Sequence, residues 1–246
     1  MRKGWNNMKF NNRCAIITGA AAGIGLATAR ELAEHGVRLV LADVNAGRLD
    51  EVAAELRAGG ADVSCFACDV GSEDDIDRLA AWLGENNINV DILVNNAGIW
   101  RDNTGKFWET DPKSWIRRWK INVFGLMYLT RAILPEMIER GYGRIVNVAS
   151  VAGIYGIAGM TDYAATKGAV IAFTKSLAKE TTACGVTVNS VSPGNIGDGG
   201  NDNGLSYAGR IGSYAECAEL ICFLASDNAS WCSGQDYRAD GCRKKM

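Results

Sequence analysis

Histidine, proline and long apolar stretches are scarce in this chain of 246 residues, and each scarcity excludes a class of structure or mechanism. The single histidine, His35, falls near the end of the first predicted helix, away from the motifs discussed below. Mechanisms that need a catalytic histidine are therefore excluded. Three prolines and no repeated segment leave no sign of a linker between domains. Apolar runs stay short of the ~20 residues of a membrane-spanning helix.

Charge and the N-terminal segment give no indication of a macromolecular partner. The formal net charge is −2, so neither a nucleic acid nor an anionic membrane is expected as a partner. The segment before Met8 has positive charge but no apolar core behind it, so it is not a secretory signal. We interpret residues 1–7 as a dispensable extension and expect a cytoplasmic protein.

The chain contains eight cysteines, a number that could suggest disulfides or a metal site. Cys14 and Cys222 lie in apolar runs, where free cysteine behaves as a small hydrophobic residue. Cys65 and Cys68 have redox spacing, but they fall in a predicted strand, away from any helix N-terminus that would stabilise a thiolate. No second pair and no histidine cluster completes a zinc site. We predict no metal site, and a thiol redox protein stays a minor alternative.

Short apolar strands alternate with helical stretches along the whole chain. The predicted strands are Cys14–Thr18, Val37–Ala42, Val63–Ala67, Ile92–Asn95, Ile145–Ala149 and Val186–Val191. The predicted helices are Ile24–Glu34, Ala46–Arg57, Glu73–Glu85, Lys113–Ile138, Asp162–Thr182 and Tyr214–Ala225. The near-continuous hydrophobicity of the strands indicates burial on both faces, and hence a parallel sheet covered by helices. We predict an α/β fold with one doubly wound domain over residues 1–246.

A glycine-rich turn separates the first strand from the first helix. In Thr18-Gly-Ala-Ala-Ala-Gly-Ile-Gly25, glycine permits a tight turn and close approach of a pyrophosphate, and the helix N-terminus offers N–H donors to an anion. The spacing differs from the general Gly-x-Gly-x-x-Gly fingerprint, but the strand–turn–helix context supports dinucleotide binding.

The second predicted strand leads into Asp43, whose carboxylate can accept hydrogen bonds from both hydroxyls of an adenosine ribose. The same carboxylate would repel a 2′-phosphate. The glycine turn contains no Arg or Lys, and Val44 follows the aspartate. The sequence therefore predicts NAD(H) in preference to NADP(H).

Tyr163 and Lys167 stand four residues apart in a predicted helix and so share a face of it. A free tyrosine has a pKa near 10, and a nearby ammonium would lower that pKa. A tyrosine with a lowered pKa can take a proton from an alcohol or give one to a ketone. Because any helix can carry this pair by chance, its meaning depends on the motifs around it.

Seven motifs occur in the order and spacing of one family. They are Thr18–Gly25, Asp69-Val70, Asn95-Asn-Ala-Gly98, Asn122, Ser150, Tyr163-x-x-x-Lys167 and Pro193-Gly194. From about Met8 to about Gly241 the chain resembles the short-chain dehydrogenase/reductase superfamily. The resemblance implies a Rossmann-type, doubly wound parallel sheet of about seven strands with helices on both faces, and a homotetramer (or dimer) built on the two long helices.

The resemblance also implies roles for the matching residues. Ser150 would orient the substrate carbonyl, Tyr163 would be the general acid or base, Lys167 would bind the nicotinamide ribose, and Asn122 would position a water beside Lys167. The predicted catalytic residues are Asn122, Ser150, Tyr163 and Lys167. The predicted cofactor-binding residues are Gly19, Ala22, Gly23, Ile24, Gly25, Asp43, Val44, Asp69, Val70, Asn96, Ala97, Gly98, Tyr163, Lys167, Pro193, Gly194 and Ile196. The predicted substrate-binding residues are Trp100, Ser150, Ala152, Tyr155, Met160 and Tyr163.

The chain departs from the family pattern after Pro193-Gly194. Ile196 is present, but Gly197 and Asp198 replace the threonine that contacts the nicotinamide carboxamide in the family. Residues 194–208 form a lid of about half the usual length, rich in Gly, Asn and Asp, which predicts a mobile surface loop. A short lid indicates an open site, a bulky substrate, closure by a neighbouring subunit, or ordering on binding.

The sequence thus predicts an NAD(H)-dependent oxidoreductase that interconverts a secondary alcohol and a ketone of a small molecule, with Tyr163 as acid or base. The apolar and aromatic positions near the catalytic residues favour a hydrophobic substrate, with a hydroxysteroid or bile acid as the first hypothesis. A 3-oxoacyl-thioester reductase and a polyol dehydrogenase are the alternatives. A catalytically inactive nicotinamide-binding sensor or scaffold is the alternative of another class.

Overall fold

The computed structural model describes residues 8–100, 104–202 and 204–244, so the predicted extension over residues 1–7 lies outside the described residues. Seven parallel strands form one sheet in the order β3-β2-β1-β4-β5-β6-β9. These strands are β1 Cys14–Thr18, β2 Arg38–Asp43, β3 Val63–Ala67, β4 Ile92–Asn95, β5 Gly143–Val148, β6 Val186–Pro193 and β9 Asp236–Ala239. Two short strands, β7 Ile196–Gly197 and β8 Gly212–Ser213, pair separately. The predicted doubly wound α/β fold is confirmed.

Helices cover both faces of the sheet. They are α1 Gly23–Glu34, α2 Ala46–Ala58, α3 Glu73–Glu85, α4 Pro112–Trp119, α5 Leu126–Glu139, α6 Ala152–Tyr155, α7 Thr161–Thr181 and α8 Tyr214–Ala225. Buried residues of α1, α2 and α8 share one core cluster, and those of α3, α5 and α7 share the other. Alternate residues of β1 enter the two clusters, Ala15 and Ile17 on one side and Cys14 and Ile16 on the other. Burial on both faces is why the strands read as continuous apolar runs.

The predicted helix Lys113–Ile138 is interrupted by a wider turn. Between α4 and α5 the chain forms a π-helical segment, Lys120–Gly125. A Cβ at Gly125 would collide with the carbonyl oxygen of Val70, so the close approach of this segment to the sheet edge needs glycine. The segment carries Asn122 into the interior, where the residue is 2% exposed. Such π-helical turns occur frequently at functional sites.

The stretch Pro112–Glu139, of 28 residues, is long and apolar enough to cross a membrane by length and composition alone. Core helices of soluble proteins pass the same test, and 44% of its most apolar window is buried inside the protein. Leu129 and Ile133 of this stretch pack in the core cluster beneath the sheet. These contacts account for part of its hydrophobicity.

All eight cysteines are free. Burial raises the pKa of the Cys68 thiol to about 12, so its thiolate is disfavoured. Cys65 is partly buried and its Sγ donates to Asp50 Oδ1 over 3.5 Å. Within the described residues no group of three or more His, Cys, Asp and Glu side chains could hold a metal ion. The arrangement gives no support to thiol redox chemistry at Cys65 and Cys68.

Candidate active site

A cleft of about 750 Å³ lies at the carboxyl ends of the central strands, where the strand order reverses between β1 and β4. In doubly wound sheets this reversal is the usual ligand site, because the adjacent crossovers run to opposite faces. The predicted site residues that line the cleft are Gly19, Ala22, Gly23, Ile24, Asp43, Asn96, Ala97, Gly98, Trp100, Ser150, Met160, Tyr163, Lys167, Pro193, Gly194 and Ile196. Residues from Gly19 to Ile196 therefore meet at one edge of the sheet.

The glycine turn between β1 and α1 is held by the segment that follows β4. Gly19 has φ 64° and Gly23 has φ 56°, both in the left-handed region that favours glycine. A Cβ at Gly25 would overlap the carbonyl oxygen of Gly19. Asn96 Nδ2 donates to the carbonyl oxygens of Thr18, over 2.9 Å, and of Gly19, over 3.1 Å. The backbone of the turn is thus fixed close to α1, with no side chain in between.

The turn leaves the N-terminus of α1 open to the cleft, since its N-cap residue Ala22 has no side chain that could cap the helix. Asp43 sits beside it: one carboxylate oxygen accepts from the backbone N–H of Ala21 at 3.0 Å and the other from that of Asn45 at 2.9 Å. Each oxygen keeps acceptor capacity for a hydroxyl group. Exposed N–H groups beside a fixed carboxylate fit the pyrophosphate and ribose of a dinucleotide.

Four predicted cofactor residues lie outside the cleft lining, and they are Gly25, Val44, Asp69 and Val70. Gly25 supports the glycine turn from behind, and the Val44 side chain is 72% exposed. Asp69 Oδ1 accepts from the backbone N–H of Gly71 at 2.8 Å, which closes the turn after β3. Val70 is buried against the π-helical segment. A role for these four in holding the cofactor remains a proposal.

The Lys167 ammonium lies 5.9 Å from the centre of the Tyr163 ring, as the helical spacing predicts. Its Nζ donates to the carbonyl oxygen of Val148 over 2.7 Å, and the residue is only 5% exposed. Burial lowers the pKa of Lys167 to about 8. The amine is therefore held at the end of β5 by a single hydrogen bond, and its burial removes the ammonium from water.

Burial also raises the pKa of Tyr163, whereas its side-chain hydrogen bond with Ser150 and the charge of Arg118 lower it. The net direction is opposite to the lowering that the Tyr–Lys spacing predicts, because desolvation of the phenolate is the largest effect. Ser150, which follows β5 and Ala149, is 9% exposed, and its Oγ accepts from the backbone N–H of Ala152 at 3.1 Å. The Ser150 and Tyr163 hydroxyls thus face each other in the cleft.

Asn122 lies behind the cleft and joins three segments. Its Oδ1 accepts from the N–H of Ile99 at 2.8 Å, and its Nδ2 donates to the Ile99 carbonyl at 3.0 Å and to Thr166 Oγ1 at 3.2 Å. A Cβ at Gly98 would lie 3.2 Å from Asn122 Oδ1 and 3.5 Å from Lys167 Nζ. The amide therefore fixes the chain after β4 against the helix that carries Tyr163 and Lys167.

A buried ion pair next to Tyr163 escaped the sequence analysis. Arg118 of α4 donates to the carboxylate of Asp162, and the two residues are 1% and 7% exposed. Asp162 immediately precedes Tyr163 in α7, and Arg118 stands one helical turn before Asn122. In the sequence the pair shows only as two opposite charges, one next to Tyr163 and the other one helical turn before Asn122.

The predicted substrate residues divide into two groups. Trp100, Met160, Ser150 and Tyr163 line the cleft. Ala152 is buried at 1% exposure and does not line it, and the Tyr155 hydroxyl is bonded to Arg238 away from the lining residues. The lining residues that the sequence analysis did not identify are Val148, Ala149, Val151, Ile157, Asn195, Leu205, Tyr214 and Arg243.

The short lid is anchored, in contrast to the free loop that its composition predicts. Asp202 is 1% exposed, and its carboxylate accepts from the N–H groups of Gly204 at 3.0 Å and Ser206 at 2.7 Å and from the Ser206 hydroxyl. These hydrogen bonds hold the Asp202 pKa below its usual value. Composition alone could not reveal this, because a single aspartate organises the turn.

The end of the lid pairs with the C-terminal segment. Ser206 and Arg243 form an antiparallel bridge. The backbone N–H of Tyr207 donates to Cys242 at 3.1 Å, that of Ala208 to Gly241 at 3.1 Å, and that of Lys244 to Leu205 at 2.9 Å. We refer to residues 205–208 with residues 241–244 as the lid–tail pair.

Comparison with known proteins agrees with this geometry. The family model described as short chain dehydrogenase matches residues 13–203, which is most of the chain. The 3-oxoacyl-[acyl-carrier-protein] reductase of Thermotoga maritima is 35% identical over 244 residues, covering 95% of this chain and 98% of that protein.

Solved structures show the same relationship. A 3-oxoacyl-[acyl-carrier protein] reductase of Brucella melitensis with bound NAD is 34% identical, with a TM-score of 0.87 over 93% of this chain and 90% of that one. The L-sorbose reductase of Gluconobacter frateurii, complexed with NADPH and L-sorbose, is 30% identical, with a TM-score of 0.91 over 98% and 99% of the two chains. This chain belongs to the short-chain dehydrogenase family and is an NAD(P)-dependent oxidoreductase acting on CH–OH and keto groups.

Proposed function

We propose that this protein reduces the 3-keto group of a 3-oxoacyl thioester, or oxidises the matching 3-hydroxyacyl thioester. The observation that carries the proposal is an apolar wall beside the Ser150 and Tyr163 hydroxyls. Val151, Ile157, Met160 and Leu205 line the same cleft as these hydroxyls and offer an acyl chain apolar contact. Relatives named 3-oxoacyl reductases, aligned over nearly the whole chain, support this substrate class. The hydroxysteroid hypothesis gains no support from them.

In the proposed reaction the nicotinamide, when bound, supplies the hydride to the carbonyl carbon. The Ser150 hydroxyl donates a hydrogen bond to the carbonyl oxygen, on which negative charge develops. Tyr163 delivers its proton to that oxygen, so that hydride and proton together give the alcohol. The Lys167 ammonium, fixed on the Val148 carbonyl, stabilises the phenolate that remains. In the oxidative direction Tyr163 takes the proton instead.

The proposed cofactor is NAD(H) in preference to NADP(H). Asp43, at the end of β2, presents two carboxylate oxygens beside the open N-terminus of α1. They would accept hydrogen bonds from the ribose hydroxyls and repel a 2′-phosphate. The side chain that follows is Val44, which offers such a phosphate no positive charge.

A second candidate, oxidoreduction of a polyol or sugar acid, is favoured by a neighbouring polar cavity of about 320 Å³. Its lining includes Asp202, Ser206, Arg238 and Asp240, which suit hydroxyl groups better than an acyl chain. The neighbour crystallised with L-sorbose, and another named as a gluconate dehydrogenase, are consistent with this candidate.

One substrate panel separates the candidates. The purified full-length protein is assayed for NADH and NADPH oxidation with acetoacetyl-CoA, L-sorbose and a steroid ketone. The proposal predicts the highest kcat/KM for the thioester with NADH. Preference for the sugar would establish the second candidate. Binding of NADH without turnover of any ketone would instead indicate an inactive sensor.

We also propose a cytoplasmic homotetramer or dimer. Phe124, Met127 and Ile138 on the long helical stretch are 43%, 40% and 39% exposed, and a second copy would cover them. Light scattering coupled to size-exclusion chromatography measures the mass directly. A monomer at micromolar concentration would contradict this part of the proposal.

A further inference from the structure

Arg243 lies in the C-terminal segment, yet it lines the catalytic cleft and also the neighbouring polar cavity. The two spaces share Asn195, Ile196 and Leu205 as well, so they meet at the lid. Among the described residues that line the cleft, the cationic side chains are Lys167 and Arg243. Lys167 is already buried on the Val148 carbonyl. Arg243 is therefore the lining cation whose side chain has no hydrogen bond or ion pair within the described residues.

The other arginines of the polar cavity already have partners. Arg210 forms a two-pronged ion pair with Glu216, with distances of 2.5 and 2.9 Å. Arg238 donates to the Tyr155 hydroxyl. Arg243, by contrast, is a partly buried residue whose guanidinium makes no hydrogen bond or ion pair to any residue in the described part of the chain. A guanidinium is a planar array of five donors, which matches a group with two anionic oxygens.

The backbone of Arg243 is fixed although its side chain is unpaired. Its bridge to Ser206 and the flanking hydrogen bonds of the lid–tail pair set the direction of this strand-like segment. Asp202, whose carboxylate ties down Ser206, anchors the other side. A cation on a fixed backbone loses less conformational freedom on binding than one on a free tail. The C-terminal segment therefore fixes the backbone of Arg243 before a ligand binds.

We propose that Arg243 is an anion-recognition residue of the active site, which binds paired anionic oxygens: a phosphate or carboxylate on the non-reacting part of the substrate, or the pyrophosphate of the dinucleotide. The proposal deepens the proposed function and rests on it only for the identity of the reactive ketone. Both sources offer the same chemistry to the guanidinium, two oxygens in the plane of its N–H groups. They differ in which binding step depends on Arg243.

The test compares Arg243→Gln with Lys244→Gln, a matched loss of one positive charge at an exposed neighbour in the same segment. Dissociation constants are measured by fluorescence for NADH and by calorimetry for two ketones added to the enzyme–NAD⁺ complex. The ketones are acetoacetyl-CoA, which carries phosphates, and ethyl acetoacetate, which is neutral. Turnover of acetoacetyl-CoA by the wild-type protein is measured separately. Absence of turnover would contradict the proposed function, whereas the role of Arg243 is tested by the dissociation constants.

If Arg243 binds an anionic group of the substrate, Arg243→Gln should raise the dissociation constant of acetoacetyl-CoA by about 10- to 100-fold, as expected for loss of a charged hydrogen-bonding pair. The dissociation constants of ethyl acetoacetate and NADH should not change. If Arg243 binds the pyrophosphate of the dinucleotide, Arg243→Gln should raise the NADH dissociation constant by a similar factor. The two ketones should then be affected equally. If Arg243→Gln matches Lys244→Gln for every ligand, the proposal is overturned.

Discussion

The guanidinium of Arg118 is paired with the carboxylate of Asp162, one residue before Tyr163, and both side chains are buried. Breaking a buried pair by removing one partner strands a charge and typically costs about 3–5 kcal/mol. Arg118→Met should lower the free energy of unfolding by about that amount, because the buried Asp162 carboxylate loses this guanidinium. Adding Asp162→Leu to Arg118→Met should recover much of the loss, because the buried carboxylate is then removed as well. Urea denaturation of the wild type and both variants measures the recovery, and an equal or greater loss in the double variant would contradict it.

The same pair should affect proton transfer, which a purely structural role would not. The positive charge of Arg118 lowers the pKa of Tyr163. In Arg118→Met the pKa that limits alcohol oxidation should therefore move to higher pH, since oxidation needs the phenolate. The pH profile of kcat checks this, and an unchanged profile would leave the pair with a structural role alone.

Tyr163→Phe should lower kcat by about 10²–10⁴-fold while leaving NADH binding nearly intact, because only the proton donor is lost. Phenylalanine retains the ring and removes the hydroxyl that faces Ser150. Turnover and NADH fluorescence titration are measured on the same preparation. Substantial residual turnover would remove Tyr163 from the proposed role.

Lys167 should make stability depend on pH in a defined window. Its pKa in the folded protein is about 8, below the ordinary value of 10.5, so between these values the unfolded chain binds more protons. Stability from this group therefore rises as pH increases from 8 to 10.5 and is constant below 8. Relative to Lys167→Met, the wild-type free energy of unfolding should gain up to about 3 kcal/mol across the window. A difference independent of pH would contradict the assigned burial.

Asp43→Ala should raise the NADH dissociation constant by about tenfold, because charge-assisted hydrogen bonds to the ribose are lost. Binding of NADPH should be unchanged or improved, since the repelling carboxylate is gone. The ratio of the two constants, measured by fluorescence, is the readout. Asp62→Ala, at an exposed aspartate before β3, is the control for loss of one surface carboxylate. An unchanged ratio would remove Asp43 as the discriminating residue.

Gly25→Ala should destabilise the protein by about 1–3 kcal/mol and weaken NADH binding, because the new Cβ would overlap the Gly19 carbonyl oxygen. Gly84→Ala in α3 is the matched control: nothing lies within 4 Å of its Cβ position. In open space, alanine in a helix is worth about 0.5–1 kcal/mol relative to glycine, so this control should be stabilised. Thermal unfolding with and without NADH measures both effects.

Much of the fold could be predicted from the sequence, because strands buried on both faces show as continuous apolar runs. Strand β9, Asp236–Ala239, escaped prediction: as an edge strand it is only partly buried, and its Asp-Tyr-Arg-Ala sequence shows no apolar run. The π-helical turn at Lys120–Gly125 was also missed. It changes the backbone by a fraction of a turn, which hydrophobic periodicity does not register.

The candidate site was predictable where it depends on local motifs and unpredictable where it depends on distant contacts. The glycine turn, Ser150 and the Tyr163–Lys167 pair can all be read from short segments. The Arg118–Asp162 pair joins residues 44 positions apart, and a charged residue on an amphipathic helix suggests a solvent-exposed face. Likewise, Arg243 reaches the cleft through backbone pairing that no sequence pattern indicates.

The short length of the lid suggests an open site, but the lid–tail pair holds the lid in place at one edge. Moving residues 205–208 outward has to break the backbone hydrogen bonds of Tyr207, Ala208 and Lys244, each worth about 0.5–1.5 kcal/mol. The lid is therefore fixed at this edge by its pairing with the C-terminal segment, and its outward movement costs the free energy of these hydrogen bonds.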